Sequence, residues 1–440
     1  EDDQLSEEFQ ISYSDDTVDA LAGFYYLDAN AFNEFDVLLG TTGALIGLPG
    51  LNAYTFGNID TKTWSVFADA TIDLEAAMGW TGFEISLGGR YTDDKRTGNI
   101  IRRTLIGGRS ASFGNTGTVI ATTSNFLGKA TFKDFTPRAV LAYKPDDDNN
   151  LYVSFSQGFK GGGFDPRGQT TAAPDLNNDG TRSADEIYDF MQFDPEKITT
   201  YEAGWKTSGF DGKYRSSFAV FYSDYTDVQI PGSIGVDTNN DGIADNFSGV
   251  TTNAGKARFY GVEFEGSGVV AEGMGSSGDS LTANWAVGWI DAKFKEFITA
   301  VLDPVTGVTS LQNVAAQRNI QNTPKWTVNF GLNYATPLEV FGRAGEIAFI
   351  PSVSYRSKSS QFEFASPIDQ SGYALVDASI TWTADDSGLQ FGLHGKNLTD
   401  KKYKVAGYDF VTASTLGLEG TLTAFYGDPR TVTATVGLKF

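Results

Sequence analysis

Hydrophobic and polar residues alternate one by one along many segments of this chain. Residues 326–334 show one apolar face and one polar face: Trp326, Val328, Phe330, Leu332 and Tyr334 against Thr327, Asn329, Gly331 and Asn333. The same period of two runs through residues 64–72, 83–91 and 281–289, with Phe67 as an exception on a polar face. This period predicts β-strands that each have one apolar face.

The connections between these strands alternate between short and long. Short ones fall near residues 14–17, 145–149, 209–213 and 385–388, and long ones near residues 35–60, 97–133, 161–195, 229–254, 298–322 and 403–429. This asymmetry is typical of up-and-down barrels of bacterial outer membranes. We therefore predict an all-β, antiparallel transmembrane barrel that forms a single domain over residues 1–440, with about fifteen strands. Because such a barrel closes with an even number of strands, we expect further strands before Glu1.

Aromatic residues at the ends of the apolar stripes favour a membrane barrel over a soluble β-sandwich. A sandwich also alternates, but Trp and Tyr at the stripe ends fit rings that lie at two lipid headgroup levels. Trp326 and Tyr334 are separated by roughly 26 Å along a strand, and by roughly 20 Å of depth after a tilt of about 40°. The final strand alternates up to the terminal Phe440, as expected of a lipid-facing last strand.

Composition narrows the classes of function. The 440 residues carry a formal net charge of −22, which argues against nucleic acid as a partner. The chain has no cysteine and one histidine, His394, which excludes disulfides and disfavours nucleophilic catalysis and most transition-metal sites. Carboxylate chemistry is the remaining enzymatic option, and no pair of acids stands in a catalytic setting, so we do not expect an enzyme.

Five segments carry a resemblance to a known family. YVSFSQGFKGGGF, residues 152–164, resembles a strand and loop entrance in the C-terminal half of TonB-dependent receptors. PEKITTYEAGWK (195–206) and NAGKARFYGVEFE (253–265) resemble two later descending strands, GKNLTDKKY (395–403) is similar to the penultimate strand, and Phe440 matches the family's ending. In this order, the segments span most of the chain.

The resemblance implies a barrel of about 22 strands with an N-terminal plug in the lumen; we expect the plug, the TonB-contacting segment and the first strands to lie outside this sequence. It also implies location in the outer membrane of a Gram-negative bacterium, in contact with outer-membrane lipid. The implied activity is uptake of a scarce small-molecule nutrient, such as a ferric siderophore or another iron complex, driven by the inner-membrane proton gradient through a TonB-like protein. The alternatives are a passive porin and a calcium-stabilised surface or adhesion protein.

One loop segment fits a calcium-binding pattern. DLNNDGTRSADE, residues 175–186, matches D-x-[DN]-x-[DN]-G-x5-E at every defined position, with Gly180 at the sharp turn. Ca²⁺ prefers oxygen ligands, which this segment offers at regular spacing. We predict a first calcium site whose ligands are Asp175, Asn177, Asp179, Thr181, Ser183 and Glu186. The alternative is a solvated acidic loop that binds no ion.

A second, weaker match covers residues 237–245. DTNNDGIAD repeats the first half of the pattern, and Ser248 stands where the bidentate acid is expected. We predict a second calcium site formed by Asp237, Asn239, Asp241, Ile243 and Asp245. In both sites the ion would order an extracellular loop rather than take part in chemistry.

Three other features have a plain interpretation and a functional one. Gly161–Gly163 follow Lys160, but no GK[ST] or strand-to-helix context follows, so we predict a mobile or tightly packed loop entrance rather than a phosphate site. His394 is expected on the lumen face with Gln390 and Lys396, without a ligand role. Some loop aromatic residues fit either cargo contact or loop packing: Tyr54, Phe56, Phe362 and Phe364. No substrate-binding site is predicted.

Overall fold

The computed structural model describes residues 1–107, 117–177, 179–236, 246–253, 255–302, 309–410 and 420–438. These residues form mainly antiparallel β-strands. The first eleven are β1 (Asp2–Ser14), β2 (Val18–Leu38), β3 (Asn52–Asp73), β4 (Phe83–Ile106), β5 (Thr118–Asp146), β6 (Asn149–Lys160), β7 (Gly163–Phe164), β8 (Gln192–Phe193), β9 (Glu196–Gly209), β10 (Tyr214–Thr226) and β11 (Gln229–Val236).

Eleven further strands complete the described part of the chain: β12 (Asn246–Asn253), β13 (Gly255–Glu272), β14 (Ser280–Leu302), β15 (Thr309–Asn313), β16 (Trp326–Pro337), β17 (Gly345–Arg356), β18 (Tyr373–Ala384), β19 (Leu389–Lys396), β20 (Lys404–Phe410), β21 (Thr421–Tyr426) and β22 (Thr431–Leu438). The helices there are α1 (Gly40–Leu45), α2 (Leu74–Met78), α3 (Ala184–Met191) and two 3₁₀ turns at Thr170–Ala172 and Ala315–Gln317. Within these described ranges, no helix has the length and apolar character needed to cross a membrane.

One continuous antiparallel sheet dominates the structure. Its strands follow the path β1-β2-β3-β4-β5-β6-β9-β10-β13-β14-β16-β17-β18-β19-β22, and the short strand β15 pairs with β14 beside this path. The path confirms the predicted all-β up-and-down architecture and the predicted count of about fifteen strands. In the described residues β1 pairs only with β2 and β22 only with β19, so the sheet does not close on itself.

Short and long connections lie at opposite ends of the sheet, which we call the turn end and the loop end. The strands continue farther into the predicted long loops than expected: β4 reaches Ile106 and β5 begins at Thr118, so most of the predicted loop 97–133 is a paired hairpin. The reason is that a strand beyond the membrane keeps its main-chain pairing without an apolar face, so the alternation stops before the strand does.

One predicted boundary near the end of the chain is wrong, and one long connection there was not predicted. β19 ends at Lys396, so residues 397–403 of the motif assigned to the penultimate strand form a loop. Asn397 adopts a φ of 47° and its side-chain amide donates to the Lys401 carbonyl at 2.9 Å, which ends the strand. The long connection at 357–372 is absent from the predicted long connections, although Phe362 and Phe364 within it were already interpreted as loop residues.

The strand register aligns the apolar faces into one belt. Val220 of β10 lies opposite Ala203 of β9 and Val262 of β13, and equivalent apolar rows continue across the sheet: Ile85–Leu141, Leu141–Val153, Val287–Val328, Trp382–Phe391 and Phe391–Val436. Members of this belt are exposed, including Phe135 at 57%, Val153 at 53% and Val436 at 73%. In a soluble protein such apolar side chains would be buried in a core, whereas in a membrane barrel they face the lipid.

Aromatic clusters border the belt on both sides. At the turn end, Phe83 stacks on Tyr143 at 4.5 Å. Toward the loop end, Trp289 lies 5.6 Å from Tyr260 and 6.4 Å from Trp326, measured between ring centroids. Aromatic girdles at both edges of an apolar band are typical of outer-membrane barrels, where the rings lie at the two headgroup levels.

Candidate functional site

The face opposite the belt is polar and cross-linked from strand to strand. Polar side chains pair across neighbouring strands on this face. Tyr152 Oη donates to Glu202 Oε1 at 2.6 Å, and Arg138 Nη1 lies 3.7 Å from Asp69 Oδ2. Two pairs of hydroxyl groups are also hydrogen-bonded, Thr200 with Ser223 at 2.9 Å and Thr71 with Ser86 at 2.8 Å. His394 belongs to this face, as predicted, with Nε2 3.1 Å from the Thr435 hydroxyl oxygen. This polar face is the lumen wall of the barrel.

A cation held between aromatic rings interrupts this polar face. The Arg90 guanidinium carbon lies 5.1 Å from the centre of the Tyr25 ring and 5.4 Å from that of Phe67. Both distances are within the range of cation–π attraction. Phe67, the exception in the sequence alternation, therefore faces the lumen because it packs against Arg90.

Residues 161–195, which connect β6 to β9, form a compact segment that we call the mouth lobe. Its side chains Phe164 and Met191, 3% and 2% exposed, pack against Ile100 of β4 and Phe126 of β5. Ile100 lies an even number of residues from Arg90 along β4 and pairs with Phe126, so both side chains fall on the lumen face. The mouth lobe therefore covers the lumen side of the strands at the loop end, which we call the mouth.

Glycines on the two strands make room for the mouth lobe. Gly98 of β4 and Gly128 of β5 are register partners, and a Cβ atom on either would lie 2.9 Å or 2.7 Å from the Phe164 ring. In the lobe itself, a Cβ on Gly162 would lie 2.4 Å from the Phe193 carbonyl oxygen. Since real Cβ atoms do not approach so closely, the triple glycine 161–163 is a tightly packed loop entrance, one of its two predicted interpretations.

A charged cluster fixes the mouth lobe to two other elements. Asp165, 6% exposed, accepts hydrogen bonds from Arg167 Nη2 at 2.6 Å and from the Thr251 hydroxyl of β12 at 2.9 Å. Burial opposes ionisation of Asp165, but the hydrogen bonds from Arg167 outweigh it and hold the pKa of this carboxyl below its usual value. Arg102 of β4 donates to the Arg167 carbonyl oxygen and to the Thr55 hydroxyl.

Two amide side chains join the base of the mouth lobe to the β11–β12 hairpin. Gln229 Nε2 donates to the carbonyl oxygens of Gly161 at 2.9 Å and Asp194 at 3.0 Å. Asn253 Nδ2 donates to the same Asp194 carbonyl at 2.8 Å, and Asn253 Oδ1 accepts from the Asp194 amide at 2.7 Å. These main-chain groups are thus satisfied by side chains where no regular pairing is available.

A cavity of about 230 Å³ opens beside this joint. Tyr225 and Phe259 pack at 4.9 Å between centroids along one side of it. The polar part of its lining includes two carboxylates, Glu196 and Glu363, and none of the described lining residues is Lys or Arg. Glu363 Oε2 accepts from Gln321 Nε2 at 2.7 Å, so the acid is held in place. We call this space the mouth pocket; it can accept an aromatic or positively charged group.

The first predicted calcium loop lies in the mouth lobe, and its ends meet. Gly180, with a φ of 81°, donates its amide to Asp175 Oδ2 at 2.8 Å. Glu186 Oε1 accepts the Leu176 amide at 2.7 Å, which brings the twelfth position of the loop beside the first. Asp179 Oδ1 accepts the Thr181 amide at 2.8 Å.

The same loop also ends in a helix cap that the sequence interpretation missed. Ser183 and Glu186 form a capping box at the start of α3, and the hydrogen bonds from Ser183 lower the pKa of Glu186. Within the described residues, no group of three or more acidic or histidine side chains is already arranged around a metal position. Calcium binding by Asp175, Asn177, Asp179, Thr181, Ser183 and Glu186 thus stays a prediction. All five residues of the second predicted site, Asp237 to Asp245, lie outside the described residues.

Each of the four aromatic residues singled out in the sequence contacts another side chain. Phe56 contacts Phe32 edge to face at 5.4 Å. The Tyr54 hydroxyl donates to Glu34, and burial together with this bond raises the pKa of Tyr54 to about 12. Phe362 and Phe364 stack at 5.1 Å in the loop 357–372. The structure places Tyr54 and Phe56 in β3 rather than in a loop.

The comparisons with known proteins agree with this architecture. The family model described as TonB dependent receptor-like, beta-barrel, matches residues 2–398. The ferric yersiniabactin uptake receptor FyuA from Yersinia pestis superposes with a TM-score of 0.64 at 18% sequence identity, covering 98% of this chain and 53% of that one. The ferric-catecholate import receptor Fiu from E. coli K12, in its closed form, gives 0.60 at 17% identity, covering 100% and 55%.

A third solved structure, the ferric citrate transporter FecA in its unliganded form, gives a TM-score of 0.55 at 12% identity, covering 99% of this chain and 61% of that one. At these identities the likeness shows the fold, and this chain spans little more than half the length of the proteins it matches. The family match extends over most of the chain and agrees with the sheet path, the lipid-facing belt and the polar lumen. The chain belongs to the TonB-dependent receptor-like β-barrel family, whose members are proteins of Gram-negative outer membranes.

Proposed function

We propose that this chain forms the barrel wall and mouth of a receptor that takes up a scarce small molecule, such as a ferric siderophore or another iron complex. In this proposal uptake is driven by the inner-membrane proton gradient through a TonB-like protein. The structural neighbours named for ferric complexes support this class of cargo.

The observation that carries the proposal is the position of the mouth lobe. Its core of Phe164, Met191, Ile100 and Phe126 lies on the lumen side of the strands, beyond the belt and at the loop end. A purely structural loop could fold back on the outer rim, whereas this one packs against the lumen side of β4 and β5. Such placement suits selective binding before passage.

The mouth pocket suggests how part of the cargo is selected. Its lining combines the aromatic side chains of Tyr225, Phe259 and Phe294 with the carboxylates of Glu196 and Glu363. Carboxylates repel anionic groups and attract cationic ones at this range. The pocket therefore favours cargo that presents a neutral aromatic or a positively charged group.

Uptake by living cells tests the proposal. The full-length receptor is produced in a Gram-negative strain that lacks its own iron-chelate receptors, and accumulation of a panel of ⁵⁵Fe chelates is measured with and without functional TonB. We expect at least one chelate to accumulate only when TonB is present. Accumulation that persists equally without TonB would contradict active transport and indicate a passive porin.

We also propose that Ca²⁺ orders the mouth lobe by binding the loop of residues 175–186. Support comes from the meeting of its two ends through the Glu186–Leu176 hydrogen bond and from the carboxylates of Asp175 and Asp179 beside them. The ion would replace main-chain amides as the partner of these carboxylate oxygens. It would thereby stabilise the position of α3 relative to the 3₁₀ turn at Thr170–Ala172. Its role would be structural.

A further inference from the structure

The mouth pocket lies on the lumen side of the strands. In β10, Tyr225 lies two residues after Ser223, and in β9, Glu196 lies four residues before Thr200. The hydroxyls of Ser223 and Thr200 meet on the lumen face, and side chains an even number of residues apart along a strand share a face. Tyr225 and Glu196 therefore also face the lumen, so a group that enters the barrel from the loop end reaches this pocket.

The size of the mouth pocket suits one chemical group rather than a whole cargo molecule. Its volume of about 230 Å³ is smaller than the roughly 300–1,000 Å³ of pockets that hold drug-sized ligands. At about 30 Å³ for each water-sized group, it has room for roughly seven such groups. A short side group of a larger cargo molecule therefore fits it.

Three aromatic side chains form the apolar walls of the mouth pocket. Tyr225 and Phe259 lie 4.9 Å apart between ring centroids, and Phe294 belongs to the same lining. Aromatic rings attract cations over their faces and also pack against neutral aromatic groups. The walls alone therefore do not distinguish a cationic group from a neutral one.

The two carboxylates of the mouth pocket are each fixed at one oxygen and open at the other. Glu196 Oε2 accepts the Gln229 amide at 2.8 Å, and Glu363 Oε2 accepts from Gln321 Nε2 at 2.7 Å. Within the described ranges, neither Glu196 nor Glu363 forms an ion pair with a lysine or an arginine. No residue described there donates a hydrogen bond to Oε1 of either side chain. Two negative charges in an aromatic pocket are thus left without a cation.

The charge of the mouth pocket differs from that of the cluster that fixes the mouth lobe, where Asp165 is paired with Arg167 at 2.6 Å. A neutral group bound in the pocket would remove water from two carboxylates and offer them no counter-charge, which is unfavourable. A cation with N–H donors can bond to the open oxygens and lie against the rings at the same time. The lining therefore favours a cationic group over a neutral aromatic one.

We propose that the mouth pocket binds an alkylammonium or guanidinium group carried by the cargo, with Glu196 and Glu363 as its hydrogen-bond acceptors. This inference rests on the proposed function, because it names the part of the cargo that the mouth recognises. Recognition here does not involve the metal, since the organic cation contacts only carboxylates and rings. Cargo with an anionic or neutral group at the same position is bound more weakly.

Binding of small probes to the purified full-length receptor in lipid nanodiscs tests the proposal without iron and without TonB. Saturation-transfer NMR measures the affinities of n-butylammonium, n-butanol and butyrate, which share a short alkyl chain and differ in charge. The test variant is Glu196→Gln with Glu363→Gln, because glutamine keeps an acceptor oxygen for the existing hydrogen bonds and removes the charge. The control variant is Glu339→Gln with Glu346→Gln, two exposed acids at the turn end, which changes the net charge by the same amount.

We expect n-butylammonium to bind the wild-type receptor and the control variant equally, and the test variant at least about tenfold more weakly, because hydrogen bonds to charged groups are lost. The wild type should bind n-butanol and butyrate at least about tenfold more weakly than n-butylammonium. Equal affinities for n-butanol and n-butylammonium, or an unchanged affinity of the test variant for n-butylammonium, would overturn the proposal. Either result would leave TonB-dependent uptake of a chelate intact, whereas uptake that ignores TonB would remove the proposed function without altering these affinities.

Discussion

Replacing Phe164 by alanine should loosen the mouth lobe while leaving the barrel folded. The Phe164 ring is 3% exposed, contacts Phe126 at 5.3 Å and Tyr188 at 5.8 Å, and fills the groove above Gly98 and Gly128. Phe→Ala changes in such packed positions cost about 3–5 kcal/mol. This cluster is the buried apolar core of the mouth lobe as far as its described residues go, so this cost should fall on local opening of the lobe rather than on global unfolding.

Hydrogen–deuterium exchange measures that local opening directly. At about 1.4 kcal/mol per factor of ten, amides in residues 161–193 should exchange at least about a hundredfold faster in Phe164→Ala. Amides of β9 and β10 should be unaffected. The matched control is Phe210→Ala in the turn between β9 and β10, where the ring is 82% exposed. Unchanged exchange in residues 161–193 would refute the claim that this core holds the mouth lobe on the lumen face.

Three further predictions concern calcium binding, the pH dependence of the mouth lobe and the lipid-facing belt. Chelation of Ca²⁺ should accelerate exchange in residues 175–186, and Glu186→Gln should remove that response; exchange that ignores calcium in the wild type would contradict the site. The folded-state pKa of Asp165 is lowered, so ionised Asp165 stabilises the mouth lobe above the unfolded pKa of about 3.9, and this stabilisation is lost as the pH falls through the lower folded pKa. Hydrogen–deuterium exchange of the mouth lobe, measured as a function of pH, should show this loss in the wild type and not in Asp165→Asn. Phe330→Lys, on the belt, should lower the free energy of unfolding in lipid vesicles by about 2–4 kcal/mol, whereas neighbouring Asn329→Lys, on the lumen face, should cost much less; equal costs in urea titrations would contradict the assignment of faces.

The strands of the membrane region could be predicted because a local pattern encodes them. Lipid on one side and a polar lumen on the other force a period of two, as in residues 326–334 of β16. The pattern fades where both faces meet water, and for that reason the extensions of β4 and β5 were assigned to loops. A different limit applies to Asn397, whose side-chain amide donates not only to the Lys401 carbonyl but also to the Asp428 carbonyl, 31 residues away in sequence.

The mouth lobe could not be predicted, because its contacts join distant parts of the chain. Gln229 reaches the Gly161 carbonyl across 68 residues of sequence, and Thr251 reaches Asp165 across 86. No local period signals such bonds. The triple glycine 161–163 was a usable signal for close packing, but the neighbour that requires it, the Phe193 carbonyl, was not.

The calcium loop illustrates a different limit. Ser183 and Glu186 belong to both patterns, since they occupy the ninth and twelfth positions of the calcium loop and also the N-cap and third helical positions of the capping box. The structure realises the cap. Both interpretations use the same oxygens, so the sequence alone cannot distinguish a capped helix from an ion site.

The assignment of the two sheet faces is the central claim, and a single-cysteine scan tests it most directly. The chain has no cysteine, so one nitroxide can be attached in turn at each position from 259 to 264 of β13 in lipid vesicles. Collision with dissolved oxygen should be high at Tyr260, Val262 and Phe264 and low at the positions between them, while a water-soluble nickel chelate should show the opposite order. An oxygen profile without a period of two, or with its maxima at the alternate positions, would contradict the account.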